Sequence, residues 1–193
     1  VLGVPGMNYS TLLERSVDFD PFFLVMGGSY PSALDRLMLI SVIQMLWDRG
    51  ESNGYANHVT RDPLPGTPVH QILLQPAFGD HQVANAAVDV QARTYAAATN
   101  DPPLAPGRMD DVTTLWGIDR IDTWPHAGSA TIYWDSGTPR PPYENVPPRP
   151  PEYGEDPHGD LRNDPDARVQ ISEFLKPDGV VVDVCDGAPC LVD

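Results

Sequence analysis

Three apolar runs, each bounded by residues that start or stop secondary structure, organise the chain. The first, Phe22-Phe23-Leu24-Val25-Met26, follows Asp20-Pro21 and precedes Gly27-Gly28. Asp as N-cap with Pro at the first helical position opens a helix there, and the glycine pair is expected to stop it. The second run extends from Ala33 to about Asp48, behind Ser32 as cap and ahead of Gly50 as terminator. It is apolar around most of its circumference, through Leu34, Leu37, Met38, Ile40, Val42, Ile43, Met45 and Leu46. Such a helix is expected to be buried, or to cover something apolar. The third run, Val69 to Gln75, has the length and apolar centre of a strand buried on both faces, as in a parallel sheet.

Weaker signals fill the intervals. Val1 to Val4 reads as a short buried strand ended by Pro5-Gly6, and Ser10 to Ser16 as a short helix. A helix is predicted from about Val83 to Ala98, and strands at Leu115 to Ile121, Ala130 to Trp134 and Val180 to Val184. A final helix spans Asp166 to Leu175. Between Asp135 and Pro165 lie nine prolines and little periodicity, which predicts a long irregular loop of the kind that carries function or is disordered. The alternation of strand, loop and helix predicts an α/β fold. The chain divides into residues 1–68, a first core strand plus apolar helices, and residues 69–193, which hold the remaining strands, the proline-rich loop, the last helix and a cysteine-bearing tail.

Composition narrows the function classes. The 193 residues are 41% hydrophobic, enough to bury a core. Against 27 acidic side chains stand 12 Lys and Arg, a formal charge of −15. That excludes nucleic acid or an anionic membrane as the main partner, because phosphate binding needs clustered cations. No apolar run reaches the roughly 18–20 residues of a membrane span. Cys185 and Cys190, close together in Val-Cys-Asp-Gly-Ala-Pro-Cys, lack the paired partners of a zinc site. They read either as a local disulfide in an oxidising compartment, extracellular or periplasmic, or as two free thiols in a tail. Neither a cofactor nor a metal is expected: the carboxylates at Asp156, Asp160, Asp164 and Asp166 do not fit a calcium-loop spacing.

Two residues stand out as candidates for chemistry. Asp80 lies just past the carboxyl end of the predicted buried strand, after Gly79 and before a helix. Ligand and catalytic groups of open α/β sheets gather at such strand ends. The same placement also suits an Asp that merely caps the following helix. His158 stands in Glu155-Asp156-Pro157-His158-Gly159-Asp160, where a stiff loop after a core strand can present a partly exposed general base. His70, inside the third run, reads as a structural histidine.

The stretch Val69 to Ala98, with its strand ending in Gly79-Asp80 and followed by a helix, resembles the acid segment of α/β-hydrolases. The strand Ala130 to Trp134, the loop holding His158 and the terminal helix are similar to the histidine segment of that family. Family members follow the chain order nucleophile, acid, histidine, and Asp80 before His158 obeys it. The resemblance implies the C-terminal half of a hydrolase sheet with a helical cap insertion, similar to secreted bacterial lipases and esterases. It implies hydrolysis of a small-molecule carboxylic ester through an acyl-enzyme, with Asp80 orienting His158. It also implies that the apolar run Phe19 to Met26 and the helix Ala33 to Trp47 line or cover an acyl pocket, or simply pack in the core. No Gly-x-Ser-x-Gly occurs, and Ser10 and Ser29 lack its setting. The resemblance therefore places the nucleophile on an N-terminal hydrolase half, in a missing segment or separate chain, that completes the sheet against the opening strand. The competing expectation is a non-catalytic, extracellular acidic interaction module with a hydrolase-like fold.

Overall fold

The protein is described here by a computed structural model covering residues 1–192. It is a mixed α/β structure with small parallel sheets. Strand β1 (Leu2–Gly3) pairs in parallel with β2 (Leu73–Gln75), which pairs in parallel with β3 (Ala130–Thr131). A second parallel pair joins β4 (Trp134–Asp135) to β5 (Cys190–Leu191). The ladder between the second and third segments is longer than the named strands. Ala130 N–H donates to the Ile72 carbonyl, Ile132 to Leu74 and Trp134 to Pro76, and Phe78 N–H returns to Trp134. Residues 72–78 and 130–135 thus run side by side.

The core follows from this ladder. Leu73, Ala130, Ile132 and Trp134 bury one face together with Leu161, Ala167 and Val181. Leu74, Phe78 and Tyr133 bury the other against Ala92, Tyr95 and Leu115. Helix α5 (Asn85–Tyr95), with the short α4 (Ala56–Thr60) packed on it, covers the second face and ends where Ala96 adopts a left-handed conformation. Helix α6 (Pro165–Phe174) covers the first, and Asp164 caps it by accepting from the Asp166 and Ala167 N–H groups, with Pro165 at the first position. Gln75 and Gln170, both buried, hydrogen-bond each other between β2 and α6.

Several expectations change. The opening strand is an edge strand whose Val1 and Leu2 side chains are exposed; only Val4 is buried. Val69 to Gln71 are not strand, and His70 is exposed there. The segments 115–121 and 180–184 form no strands: each makes a single bridge, Thr99 with Arg120 and His126 with Val181. Helix α2 (Asp20–Ser29) passes through Gly27 and Gly28, and Asp20 lies inside it instead of capping it.

The largest change concerns α3 (Ala33–Trp47), which Ser32 caps as expected. Only Ile40 and Gln44 are buried in it, while Leu34, Met38, Val42, Met45 and Leu46 are exposed. Its inward face is mixed, with Ile40 buried beside Gln44 and with Leu39, Ile43, Trp47 and Arg36 partly covered. Gln44 accepts from Ser10 N–H at 2.8 Å and donates to Glu51 and Asp48, and Arg36 reaches Glu14 and two carbonyls. The apolar residues of α2 and α3 pack in no core cluster.

Cys185 and Cys190 form a disulfide, with Cα atoms 5.3 Å apart, that closes the turn before β5. This is consistent with an oxidising compartment. Among the described residues, no helix is long and apolar enough to cross a membrane.

Two substitutions test this division between core and surface. Leu74→Ala is expected to cost about 2–5 kcal/mol in chemical unfolding, because Leu74 is fully buried. Leu46→Gln, of comparable hydrophobic loss in sequence terms, should change stability by less than about 0.5 kcal/mol. Equal costs at the two positions would contradict the outward orientation of α3.

Candidate active site

The ladder ends at Phe78, and the chain must then turn sharply. Gly79 makes that turn with φ +83°, and a Cβ there would approach Thr138 Oγ1 to 2.5 Å. Both facts favour glycine there. Asn85 secures the turn from the helix side, accepting from Gly79 N–H at 2.8 Å and donating to the Ala77 carbonyl at 2.7 Å. Asp80 follows and is almost fully buried.

Its carboxylate has two sets of partners. Oδ1 accepts from the N–H groups of Gln82 and Val83, both at 2.8 Å. The two oxygens also face His158 Nδ1, at 2.9 Å for Oδ2 and 3.2 Å for Oδ1. Asp80 therefore does not cap α5, whose N-cap is Ala84 without a side-chain bond. It holds the turn that precedes the helix and receives the imidazole.

His158 reaches it from the other segment. It lies in the first turn of a 3₁₀ helix, Pro157–Asn163, not in irregular loop. Asp156 caps that turn by accepting from His158 N–H at 3.1 Å, and Leu161 anchors it in the core. Asp156 also accepts from His81 N–H at 3.2 Å and from the Gln82 side chain at 2.7 Å. One carboxylate thus ties the turn carrying His158 to the residues following Asp80. Burial acts to raise the Asp156 pKa, but these bonds outweigh it and hold the group below the usual carboxylate range. His81 itself is buried, its Nε2 lying 3.2 Å from the Tyr153 carbonyl.

A carboxylate at Nδ1 and a donor at Nε2 select one imidazole tautomer. Arg162, four residues on, places Nη2 2.9 Å from Nε2. A guanidinium only donates, so Nε2 is the accepting nitrogen and Nδ1 carries the proton directed at Asp80. The hydrogen bond to Asp80 raises the His158 pKa; partial burial and Arg162 act against it, and Asp156 adds to it. Hydrogen bonding to a buried acid, oriented tautomer and accessible Nε2 together make a group able to take a proton from a nucleophile at Nε2.

The structure thus brings Asp80 and His158 together, as the sequence reading expects. It does not bring either serine to them: the Ser10 hydroxyl donates to Asn8 at 2.6 Å within α1 (Tyr9–Leu12), and Ser29 ends α2. Asp156, Arg162 and Tyr153 escaped sequence reasoning. Asp156 was legible, since Asp156-Pro157 repeats the cap-and-proline signature of Asp164-Pro165. Nothing in the sequence marks Arg162 beyond its four-residue spacing from His158. The carboxylates at 156 and 164 act as caps. No protein-family model, curated protein or solved structure matches this chain.

The Asp80–His158 bond has a measurable linkage. Because the folded-state pKa of His158 is raised, its stabilising contribution is complete below the ordinary imidazole value of about 6.5 and is lost as pH rises through the raised value. In Asp80→Asn, the His158 pKa measured by NMR titration should fall, leaving burial as the dominant influence. An unchanged pKa would show that Asp80 does not govern the imidazole.

Proposed function

We propose that the chain is the C-terminal part of a secreted α/β-hydrolase-type esterase, supplying acid and base to a serine nucleophile carried by an N-terminal segment or separate chain. The observation that carries this reading is the His158 imidazole, held by the buried Asp80 in the Nδ1–H tautomer with Nε2 as acceptor. Two further features support it. The acid follows a parallel core strand through a glycine turn, and the histidine comes from a later segment beyond the neighbouring strand. Strand β1 is paired on one side only among the described residues, which leaves an edge where further parallel strands fit.

The chemistry follows from that tautomer. The serine Oγ attacks the ester carbonyl carbon, forming an O–C bond while its proton passes to Nε2. Asp80 stabilises the resulting imidazolium through the Nδ1–H bond. Collapse of the tetrahedral adduct breaks the bond to the alcohol, which leaves with the proton from Nε2. Water, deprotonated by the same nitrogen, then cleaves the acyl-enzyme and releases the carboxylic acid. The donors for the oxyanion belong to the N-terminal part. Arg162 must leave Nε2 before serine engages it, and its exposure permits this.

Fluorophosphonate labelling of the assembled protein tests the reading. A serine outside this chain is expected to be labelled, and His158→Ala should slow labelling by about a thousandfold or more. Since the base acts as neutral imidazole, the wild-type rate should rise with pH through the raised His158 pKa. Absence of a labelled serine in the intact assembly, or labelling indifferent to His158→Ala, would favour the non-catalytic acidic module.

A further inference from the structure

Beside Asp80 lies a cavity of about 200 Å³ that the ester-hydrolysis reading does not use. Its walls are largely apolar, from Phe78, Met109, Pro141, Tyr143 and Val146. Most of its polar groups are already engaged. Asp80 is bonded to His158 and two backbone N–H groups, Asn85 bridges Gly79 and Ala77, and Arg140 is ion-paired with Asp110. Asp111 is exposed to water. Two groups remain with free capacity, Arg15 and Asp89.

Arg15 is half-buried and donates one bond, from Nη1 to the Thr11 carbonyl at 3.0 Å. Among the described residues no carboxylate lies within ion-pair distance of it, although Arg36, Arg108, Arg120, Arg140 and Arg149 each have one. Burial pulls its pKa down and Glu14, the nearest acid by charge, opposes that. A partly desolvated guanidinium on an apolar cavity wall leaves a planar fork of donors unmatched, the arrangement that recognises a carboxylate.

Asp89 faces the same cavity from α5. Its Oδ1 accepts from the fully buried Tyr133 hydroxyl at 2.6 Å. Burial raises its pKa to about 6, against the bond from Tyr133 and the charge of Arg93, with Asp111 adding to the rise. Below that value the group is neutral and becomes a donor; above it, it repels anions. The charged groups lining the space are thus Arg15 and Arg140 against Asp80, Asp89 and Asp111, and Arg93 acts on Asp89 through its charge from outside the lining. Asp80 is already bonded, Asp111 faces water and Asp89 is neutral below about pH 6, so the guanidinium of Arg15 is the partly buried charge left to be matched, and an organic cation would leave its fork unsatisfied.

We propose that this cavity binds a small monocarboxylate, its carboxylate on the Arg15 guanidinium and its hydrocarbon body against Phe78, Met109, Pro141 and Tyr143. The volume, below the usual range for drug-sized ligands, fits a short-chain or single-ring acid. The site stands on the cavity alone, without the hydrolase reading. Under that reading the ligand class coincides with the acid product.

Hexanoate, benzoate and, as a charge-reversed probe, hexylammonium should be titrated into the full chain, with binding followed by calorimetry and saturation-transfer NMR. Saturable binding of hexanoate or benzoate is expected, with hexylammonium at least about tenfold weaker. Hexanoate should bind severalfold tighter at about pH 5.5 than at about pH 7.5, because Asp89 loses its charge in that interval. Asp89→Asn, which keeps an acceptor for Tyr133, should raise affinity at the higher pH toward the lower-pH value. Arg15→Gln should abolish binding. If that variant does not fold, Val146→Trp decides the matter, since Val146 is on the exposed rim and a large ring there fills the cavity without disturbing the core. Absence of saturable binding, hexylammonium binding as well as hexanoate, or full hexanoate affinity in folded Arg15→Gln or Val146→Trp would each overturn the proposal. None of these measurements depends on a nucleophile, so they fail or succeed separately from the labelling experiment.

Discussion

Everything around the candidate site depends on the parallel pairing of residues 72–78 with 130–135. Four backbone bonds fix that register, from Ala130 to Phe78, and a one-residue slip would separate Leu73 from Ile132 and Trp134, and Leu74 and Phe78 from Tyr133, onto opposite faces. Because the strands are parallel, both carboxyl ends finish at the same edge of the sheet. Gly79-Asp80 emerges there from the first strand and Asp135 from its neighbour. Asp135 is buried and holds Arg108 through two bonds of 2.6 and 2.7 Å, while the Arg108 guanidinium lies 4.7 Å above the Phe78 ring. The return of the chain toward His158 therefore starts from a clamped strand end.

Asp80 resolves a choice that the sequence leaves open between a capping and a chemical role. The carboxylate has enough lone pairs for both, and the geometry uses them: Oδ1 closes the turn at Gln82 and Val83, and Oδ2 takes the closest approach to His158. The turn bonds hold the carboxylate independently of the imidazole, so the interaction with His158 requires little further ordering of the acid. Asp156 performs the matching task from the other side, because its carboxylate binds the N–H of His158 and that of His81 at once. A site assembled from residues 80 and 158 is thereby reduced to two adjacent capped turns.

What the sequence made legible had a local physical cause. The caps at Ser32 and Asp164, the turn at Gly79 and the cysteine pair are each read from residues within a few positions of one another. Asp80 was legible from its predicted strand end, His158 from a stiff loop after a core strand, and their pairing from the chain order that the α/β-hydrolase resemblance implies. What failed was decided by partners. Residues 115–121 and 180–184 have strand-like composition, but each finds only one bridging neighbour, so the ladder that would make them strands never forms. Gly27-Gly28 did not end α2 because a glycine pair is a weak destabiliser in a helix interior, not a prohibition as proline is.

The burial of α3 failed for a more general reason. Hydrophobic content alone does not say which face of a helix turns inward, and here Ile40 and Gln44 turn inward while Leu34, Met38, Val42, Met45 and Leu46 face water. Gln44 and Glu51 satisfy the N–H groups of Asn8, Tyr9 and Ser10, the donors at the start of α1 that no helical carbonyl can reach. The chain leaving α1 then tightens into a 3₁₀ turn, Leu13–Arg15, whose Glu14 is tied back to Arg36 of α3. Gln44 on the inward side of α3 thus fixes the start of α1, and the 3₁₀ turn after it sets the position of Arg15 on the cavity wall. The feature that composition misreads as a core helix is, through these bonds, part of what shapes the space beside Asp80.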